Sequence, residues 1–432
     1  MIRISGPDAL LILKSVFLPF NKEEAFRPRY MALGNVTDEK GRAIDKALAV
    51  YFPSPNSYTG EDVCEIQCHG GATVTRMILE LLLKNGAVMA EPGEFTKRAF
   101  LNGKMDLAEA EGVMELISAM SEKSARAAAL VMEGGLSKKV TALQHDLEGV
   151  IAGIEAGIEY PDEDIEVAGR GETELKKVAS AARKLLDTGG RGRVLREGIR
   201  VAIIGTPNVG KSSILNSILG SDRAIVTKVP GTTRDIIEEQ YTFDGLPVVF
   251  IDTAGIRETS DAVEEIGVKR SLGELDKSAV VMQILDGTRS VEPREQEIFE
   301  KVRNRPHVLV LNKSDRLRDE DVPEEIWGEK PLVISARTGE GMDGLLEAIK
   351  NIAIGQSDAS DGLAVMTARH ADAFRRACDA MDSALRAFSD GADLDCVSID
   401  LMDAYHALGE ITGRSVTEDI IDRIFSEFCL GK

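Results

Sequence analysis

Residues 205–212 read Gly-Thr-Pro-Asn-Val-Gly-Lys-Ser, the spacing G-x-x-x-x-G-K-[ST]. That spacing can hold a polyphosphate. Its glycines let backbone amides approach phosphate oxygens, and a helix starting at the lysine adds partial positive charge. Lys211 is placed to reach the β- and γ-phosphates, and Ser212 to ligate Mg2+. Alone, the same pattern also fits an ordinary glycine turn before a helix. Three further segments remove that reading. Asp252-Thr253-Ala254-Gly255 follows the apolar run "PVVFI", where a carboxylate behind the Mg2+ belongs. Asn312-Lys313-Ser314-Asp315 follows "HVLVL". Asp315 can accept the N1–H and amino hydrogens of guanine together, a donor pair that adenine does not present on that edge. Ser335-Ala336-Arg337 follows "PLVI". The four segments stand in the order of a GTPase, and GTP is the expected ligand.

The residues expected around the nucleotide are Asn208, Val209, Gly210, Lys211, Ser212 and Ser213 of the phosphate loop. Gly231, Thr232 and Thr233 of "GTTRD" supply the switch threonines, with Thr233 the expected Mg2+ ligand of the two, and Thr227, Lys228, Val229 and Pro230 directly before them are expected at the nucleotide as well. Asp252, Thr253, Ala254, Gly255, Asn312, Lys313, Ser314, Asp315, Ser335, Ala336 and Arg337 complete the set. One position departs from the small GTPases, which carry a water-orienting glutamine directly after the DTAG glycine. Here it is Ile256, whose aliphatic side chain cannot orient water. Asn208 and Glu264 are the polar candidates for that task, and Glu264 also reads as a solvated helix carboxylate.

The elements needed to position these groups are legible as patterns. "IRVAIIG" opens an α/β segment at 199 that runs to 354, each motif following a strand-like run. Before it, residues 1–104 mix strands and helices. "IDKALAVYF" alternates, and "EDVCEIQCHGG" puts Cys64, Ile66 and Cys68 on one face and Val63, Glu65 and Gln67 on the other. "ATVTRMILELLLKNG" reads as a helix closed by Gly86. His69, before Gly70-Gly71, reads as a turn residue. From 105 to 197 the pattern is helical. It opens on Asp106 and Glu109, the outline of a capping box at the head of one long helix. "PDEDIEVAGRGE" reads as an acidic loop and "GGRGRVLREG" as a Gly/Arg-rich linker. Residues 355–432 are helical again, so the α/β unit 198–354 is expected to be inserted into a discontinuous helical domain.

Bulk properties bound the class. A chain of 432 residues exceeds one ordinary domain. No apolar run approaches the length of a membrane-spanning helix, and the start lacks the pattern of a signal peptide, so a cytoplasmic protein with no membrane partner is expected. Five cysteines are scattered, without zinc spacing. A net charge of −20 argues against a nonspecific nucleic-acid coat. The end, "FCLGK", has the outline of a lipidation box, but it terminates in Lys and no basic run precedes it.

Six stretches carry a resemblance over essentially the whole chain: "PNSYTGEDVCEIQCHGG", "EPGEFTKRAFLNGKMDLAEAEG", "REGIRVAIIGTPNVGKSS", "IVTKVPGTTRD", "DTAGIRETSDAVEEIG" and "FCLGK". The sequence resembles the MnmE (TrmE) family of tRNA-modification GTPases. The resemblance implies a multidomain α/β protein with a folate-binding and dimerising α/β N-terminal domain, a discontinuous helical domain and an inserted Ras-like P-loop GTPase domain. It implies a K+-activated GTPase that forms a homodimer through its G domains, with Asn208, Thr227, Val229 and Thr232 around K+ and Glu264 positioning the attacking water. It implies that Arg3, Glu65, Lys104 and Lys432 contact a 5-formyl- or methylene-tetrahydrofolate. The pairing of Glu65 with a pterin is chemically sensible, because adjacent N–H donors can share one carboxylate. Cys429 is implied near that pocket, as a chemical group or as packing. The family works with an FAD protein, MnmG, in a heterotetramer that places a carboxymethylaminomethyl-type group on the wobble uridine of certain tRNAs. Family members begin with a Gly-rich segment ahead of their equivalent of "IRISG", and Met1 falls inside that region here. Their terminal Cys-Ile-Gly-Lys is Cys-Leu-Gly-Lys. Two other readings share the nucleotide motifs. One is a ribosome-assembly GTPase acting as an RNA-binding switch, which needs an RNA module not evident after 355. The other is a one-carbon transferase with a regulatory G domain.

Overall fold

The computed structural model describes residues 1–21, 26–159, 166–220, 238–252, 278–318, 320, 322–354, 367–428 and 431. The chain divides into two compact units. The first comprises 1–114, 130–179 and 376–432; the second comprises 115–129 and 180–375.

The N-terminal part of the first unit holds β1 (Ile2–Ser5), α1 (Ala9–Val16), β2 (Phe17–Pro19), β3 (Ala32–Thr37), β4 (Ala43–Phe52), β5 (Val63–Gln67), α2 (Ala72–Lys84) and α3 (Glu94–Leu101). The strands form one antiparallel sheet in the order β1-β5-β4-β3-β2. Alternation sends Cys64 and Ile66 into a core with Ile4, Leu13, Phe17, Ile78 and Leu82. Burial pushes the Cys64 thiol up to about 12, with the nearby Asp62 charge adding to it. Cys64 is therefore an inert packing group. His69 sits between β5 and α2, its backbone N–H and its Nδ1 each 2.8 Å from an Asp45 carboxylate oxygen.

Helices follow: α4 (Leu107–Ser118), α5 (Glu122–Met132), α6 (Gly135–Glu159), α7 (Glu166–Leu186) and α8 (Gly189–Glu197). The Asp106/Glu109 capping box forms with both reciprocal bonds at 2.9 Å. Three expectations need correction. The helix it opens is not continuous: it breaks at 119–121, where Ser121 and Ser124 each accept the other's backbone N–H, at 3.1 and 2.9 Å, and restart the chain as α5. The acidic loop is shorter than expected, because α7 starts at Glu166. The Gly/Arg-rich linker is α8. Burial of Val194 against the sheet core and the Arg193–Glu197 pair outweigh the low helix propensity of its glycines.

The second unit continues with β6 (Ile199–Ile204), α9 (Lys211–Leu219), β7 (Glu238–Phe243), β8 (Leu246–Asp252), β9 (Val280–Asp286), α10 (Pro293–Val302), β10 (His307–Asn312), β11 (Leu332–Val333) and α11 (Met342–Ile354). The sheet order is β11-β10-β9-β6-β8-β7, parallel except for the β7–β8 hairpin. Near-continuous apolar strands such as "IRVAII" and "HVLVLN" are what a sheet covered on both faces requires. The chain ends in α12 (Ala368–Ser389), α13 (Leu394–Thr412) and α14 (Glu418–Ser426). In the first unit α13 packs along α6, with Gln144 Nε2 donating to the Tyr405 carbonyl at 3.1 Å. On α14, Ile421 and Phe425 turn inward to join Leu107, Ala110 and Phe428 in a small core.

Candidate functional site

In an open parallel sheet, ligands gather at the carboxyl ends of the strands. At that rim of the second unit, β6 runs into the phosphate loop, β10 into Asn312–Asp315 and β11 into Ser335. Gly210 caps α9 with φ 101°, and a Cβ there would stand 2.3 Å from Asn312 Nδ2, so only glycine fits. Asn208 also takes a left-handed backbone, φ 65°, which Asn tolerates, and its residue is exposed. Lys211 Nζ donates to the carbonyls of Gly205 at 2.7 Å and Thr206 at 2.9 Å, so the lysine spans the loop it follows. Ser212 and Ser213 are exposed in the first turn of α9.

The segment 312–315 is tied to this loop, and the segment 335–337 is tied to 312–315. Asn312 is buried; its Nδ2 donates to the Val209 carbonyl at 2.9 Å and its Oδ1 accepts the Ala336 N–H at 3.1 Å. Its side chain therefore holds the loops of the rim together. Lys313 Nζ donates to the Asn208 carbonyl at 3.0 Å and to Asp286 Oδ2 at 2.5 Å. Burial pushes the Asp286 carboxyl up, but bonds from Lys313 and Thr288 outweigh it and hold the group below its ordinary range. Ser335 Oγ donates to Asp315 Oδ1 at 2.8 Å, and Arg337 stands 3.7 Å from Asp315 Oδ2. That fixes Asp315 as an oriented acceptor at the rim, which suits a planar base with two adjacent donors. Asp252 ends β8, neighbouring β6 in the sheet. Thr227, Lys228, Val229, Pro230, Gly231, Thr232, Thr233, Thr253, Ala254, Gly255 and Glu264 lie outside the described residues.

A second arrangement lies in the first unit. The β1–β5 register sets Arg3 opposite Glu65, and Arg3 Nε and Nη2 both reach Glu65 Oε1 at 2.8 Å. The Arg3 guanidinium lies 5.3 Å from the Tyr58 ring centre and 5.5 Å from that of Phe95. Glu65 Oε2 accepts no hydrogen bond among the described residues. A carboxylate oxygen beside a guanidinium and two aromatic rings suits a flat heterocycle carrying N–H donors. Lys104 Nζ donates to the Pro55 carbonyl at 3.0 Å, on the loop that carries Tyr58. Gly93 precedes α3 with φ 70°, and a Cβ there would meet the Phe425 carbonyl at 2.5 Å. The end of α14 thus docks on the helix that carries Phe95. Cys429 and Lys432 lie outside the described residues.

Reading the sequence missed Asp286, Thr206, Arg289 and Glu295 around the phosphate loop, and Tyr58 and Phe95 beside Arg3. One signal was available. Gln283 interrupts the apolar run "VVMQIL" of a central strand, and a buried polar side chain there needs a partner.

Comparisons with known proteins identify the family. A family model described as "GTP-binding protein TrmE N-terminus" matches residues 1–104, and one described as "MnmE helical domain" matches residues 107–429. The "tRNA modification GTPase MnmE" of Desulforamulus reducens is 42% identical over 443 residues, covering 100% of this chain and 96% of the relative. That of Clostridioides difficile is 41% identical with the same coverage. Among solved structures, Aquifex aeolicus Era bound to GDP and aluminium fluoride is 28% identical and covers 42% of this chain and 66% of its own, with a TM-score of 0.30. With two family models spanning nearly all of the sequence and full-length relatives above two-fifths identity, the chain belongs to the MnmE (TrmE) family of tRNA modification GTPases.

Proposed function

We propose that this chain binds and hydrolyses GTP at the sheet rim and uses that cycle in tRNA modification. The observation that carries the reading is the direct hydrogen bonding of Asn312 and Lys313 to the Val209 and Asn208 carbonyls of the loop, with Ser335 in turn holding Asp315 beside them. In this reading Lys211 and the loop amides hold the phosphates, Asp315 selects guanine, and Ser212 with Thr233 ligates Mg2+. Asn208, Thr227, Val229 and Thr232 surround K+, whose charge offsets that developing on the phosphates. Glu264 positions the attacking water in place of the glutamine that Ile256 replaces.

The finer assignments follow the family. Residues 1–104 form the folate-binding and dimerising domain, 105–197 and 355–432 the helical domain, and 198–354 the G domain. Arg3, Glu65, Lys104 and Lys432 hold a 5-formyl- or methylene-tetrahydrofolate, which supplies a one-carbon unit. The Arg3–Glu65 pair and its aromatic walls support this by their chemistry. The homodimer joins an MnmG-type FAD protein in the cytoplasm to build a carboxymethylaminomethyl-type group on the wobble uridine. No described helix is long and apolar enough to cross a membrane.

The test compares GTP hydrolysis in KCl and NaCl at equal ionic strength. A cation replacing an arginine finger can contribute about 10³–10⁵ in rate, so K+ should accelerate turnover strongly and Asn208→Ala should remove that response while retaining GTP binding. Equal rates in the two salts sink the K+ assignment. Complementing a strain that lacks the gene, and measuring wobble-uridine modification, tests the tRNA arm. There Cys429→Ser should lose modification but keep K+-dependent hydrolysis; normal modification makes Cys429 packing.

A further inference from the structure

A polar cluster adjoins the phosphate loop, with Thr206, Gln283 and Glu295 buried and the Arg289 side chain 30% exposed. Thr206 Oγ1 donates to Glu295 Oε1 at 2.7 Å. Arg289 Nη2 donates to the same carboxylate oxygen at 2.7 Å and to Thr206 Oγ1 at 3.0 Å. Arg289 Nη1 pairs with Glu292. Glu295 Oε2 accepts the Glu292 N–H at 2.9 Å, capping α10, and Gln283 Nε2 donates to the Glu295 carbonyl at 2.8 Å. Glu295 is 1% exposed and Gln283 is fully buried.

A glutamine at 295 could keep the cap through its oxygen and donate its amide N–H to Thr206 Oγ1, but that nitrogen could not accept from Arg289. The carboxylate instead adds a desolvated negative charge, one side chain away from a loop that has to attract polyphosphate. Arg289 is the group that makes this tolerable. We propose that Arg289 is a positioning residue of the nucleotide site. It neutralises the carboxylate behind the phosphate loop and, through Glu295, fixes Thr206, whose carbonyl is one of the two acceptors of Lys211 Nζ. The inference rests on the reading that this loop holds GTP, and it deepens that reading: the cluster sets the electrostatic background against which phosphate charge is counted. Its effect therefore scales with the charge of the nucleotide.

The experiment measures affinities of the full chain for Mg2+-GDP and for a Mg2+-bound non-hydrolysable GTP analogue by calorimetry. Arg289→Met uncovers the carboxylate. It should weaken the diphosphate about threefold and the triphosphate by about the square of that factor, roughly tenfold, because Mg2+-GTP carries twice the net charge of Mg2+-GDP. Glu295→Gln removes the carboxylate and should tighten both, the triphosphate more. The double substitution Arg289→Met with Glu295→Gln should come back to within about twofold of the unsubstituted chain. A cluster that only ties elements together predicts the opposite set: equal losses for the two nucleotides, weaker binding by Glu295→Gln, and a double variant no better than the worse single. That set overturns the inference. If Arg289→Met does not fold, Glu295→Gln decides alone, and weaker triphosphate binding by it overturns the inference. An unsubstituted chain that binds neither nucleotide overturns the GTP reading, and this inference with it. Normal binding by the unsubstituted chain with unchanged affinities in Arg289→Met overturns this inference only.

Discussion

The nucleotide rim and the Arg3–Glu65 site are built in different ways. At the rim, each functional group sits in a short contiguous segment at the end of an apolar strand, and many of its side chains bond to main chain, as Lys211, Asn312 and Lys313 do. At the second site, the groups come from β1, the loop before β5, β5 itself and α3, and they meet side chain to side chain. A site made of strand-end loops inherits its geometry from the backbone. A site made of paired side chains inherits it from strand register and from the docking of distant helices. The first kind is broken by touching the backbone, the second by touching a partner or a docking contact.

The largest effects should come from two glycines, one for each region. Gly210→Ala places a Cβ 2.3 Å from Asn312 Nδ2 at φ 101°, where an alanine is strained whatever the space. Left-handed strain alone costs about 1–2 kcal/mol, so GTP affinity should fall by about 5- to 30-fold, with the proposed tetrahydrofolate binding unchanged. Gly93→Ala drives a Cβ against the Phe425 carbonyl at 2.5 Å and Phe428 Cβ at 2.9 Å. Lifting α14 exposes Phe425, whose burial is worth about 2–3 kcal/mol. The tetrahydrofolate binding proposed for the first unit should drop and GTP affinity should hold. Calorimetry with each ligand on each variant checks both. If either substitution lowers both affinities equally, the two regions do not fail separately and the comparison collapses.

The same contrast explains what could be read from the sequence. The four nucleotide segments were legible because each is contiguous and follows an apolar run, and the Asp106/Glu109 cap because it spans one helical turn. The side-chain role of Asn312 was not, since its partners Val209 and Ala336 lie far away in sequence and meet only when β6, β10 and β11 align. Arg3 and Glu65 come together through the β1–β5 register, which no local pattern specifies. Only the family resemblance points to them, and nothing local in the sequence points to Tyr58 or Phe95. The segment 189–197 was misread because glycine content speaks for a linker, whereas burial of Val194, a tertiary effect, makes it a helix.

A smaller effect tests the partner rule in the first unit. The Arg3 and Glu65 side chains are 17% and 15% exposed, so neither is well solvated. Arg3→Met leaves the carboxylate without its donor beside two aromatic rings, at a cost of about 1–3 kcal/mol. Glu65→Gln keeps an acceptor and should cost less. In urea unfolding, the double variant should be clearly more stable than the sum of the single losses predicts. Strict additivity would mean that the pair is not coupled and that the site draws its geometry from the backbone after all.

The smallest effect concerns Asp286, and its sign follows from its surroundings. Burial raises its carboxyl, but the side-chain bonds from Lys313 and Thr288 and the Thr288 backbone N–H lower it further, so the folded group titrates below its ordinary 3.8. A group depressed on folding contributes stability that is present above the unfolded value and lost as pH falls through the folded one. The Asp286–Lys313 bond should therefore hold the Asn208 carbonyl across the whole neutral range and fail only in acid. Asp286→Asn removes the charge but keeps the shape, and it should cost about 1–2 kcal/mol, the scale of a hydrogen bond to a charged group. The stability gap between the two proteins should be flat from about pH 8 to about pH 5 and close below about pH 4. Chemical denaturation at a series of pH values measures it. A gap that narrows near pH 6 instead would assign the stabilisation to another titrating group, and the rim would then depend on more than the backbone and the Lys313 bond.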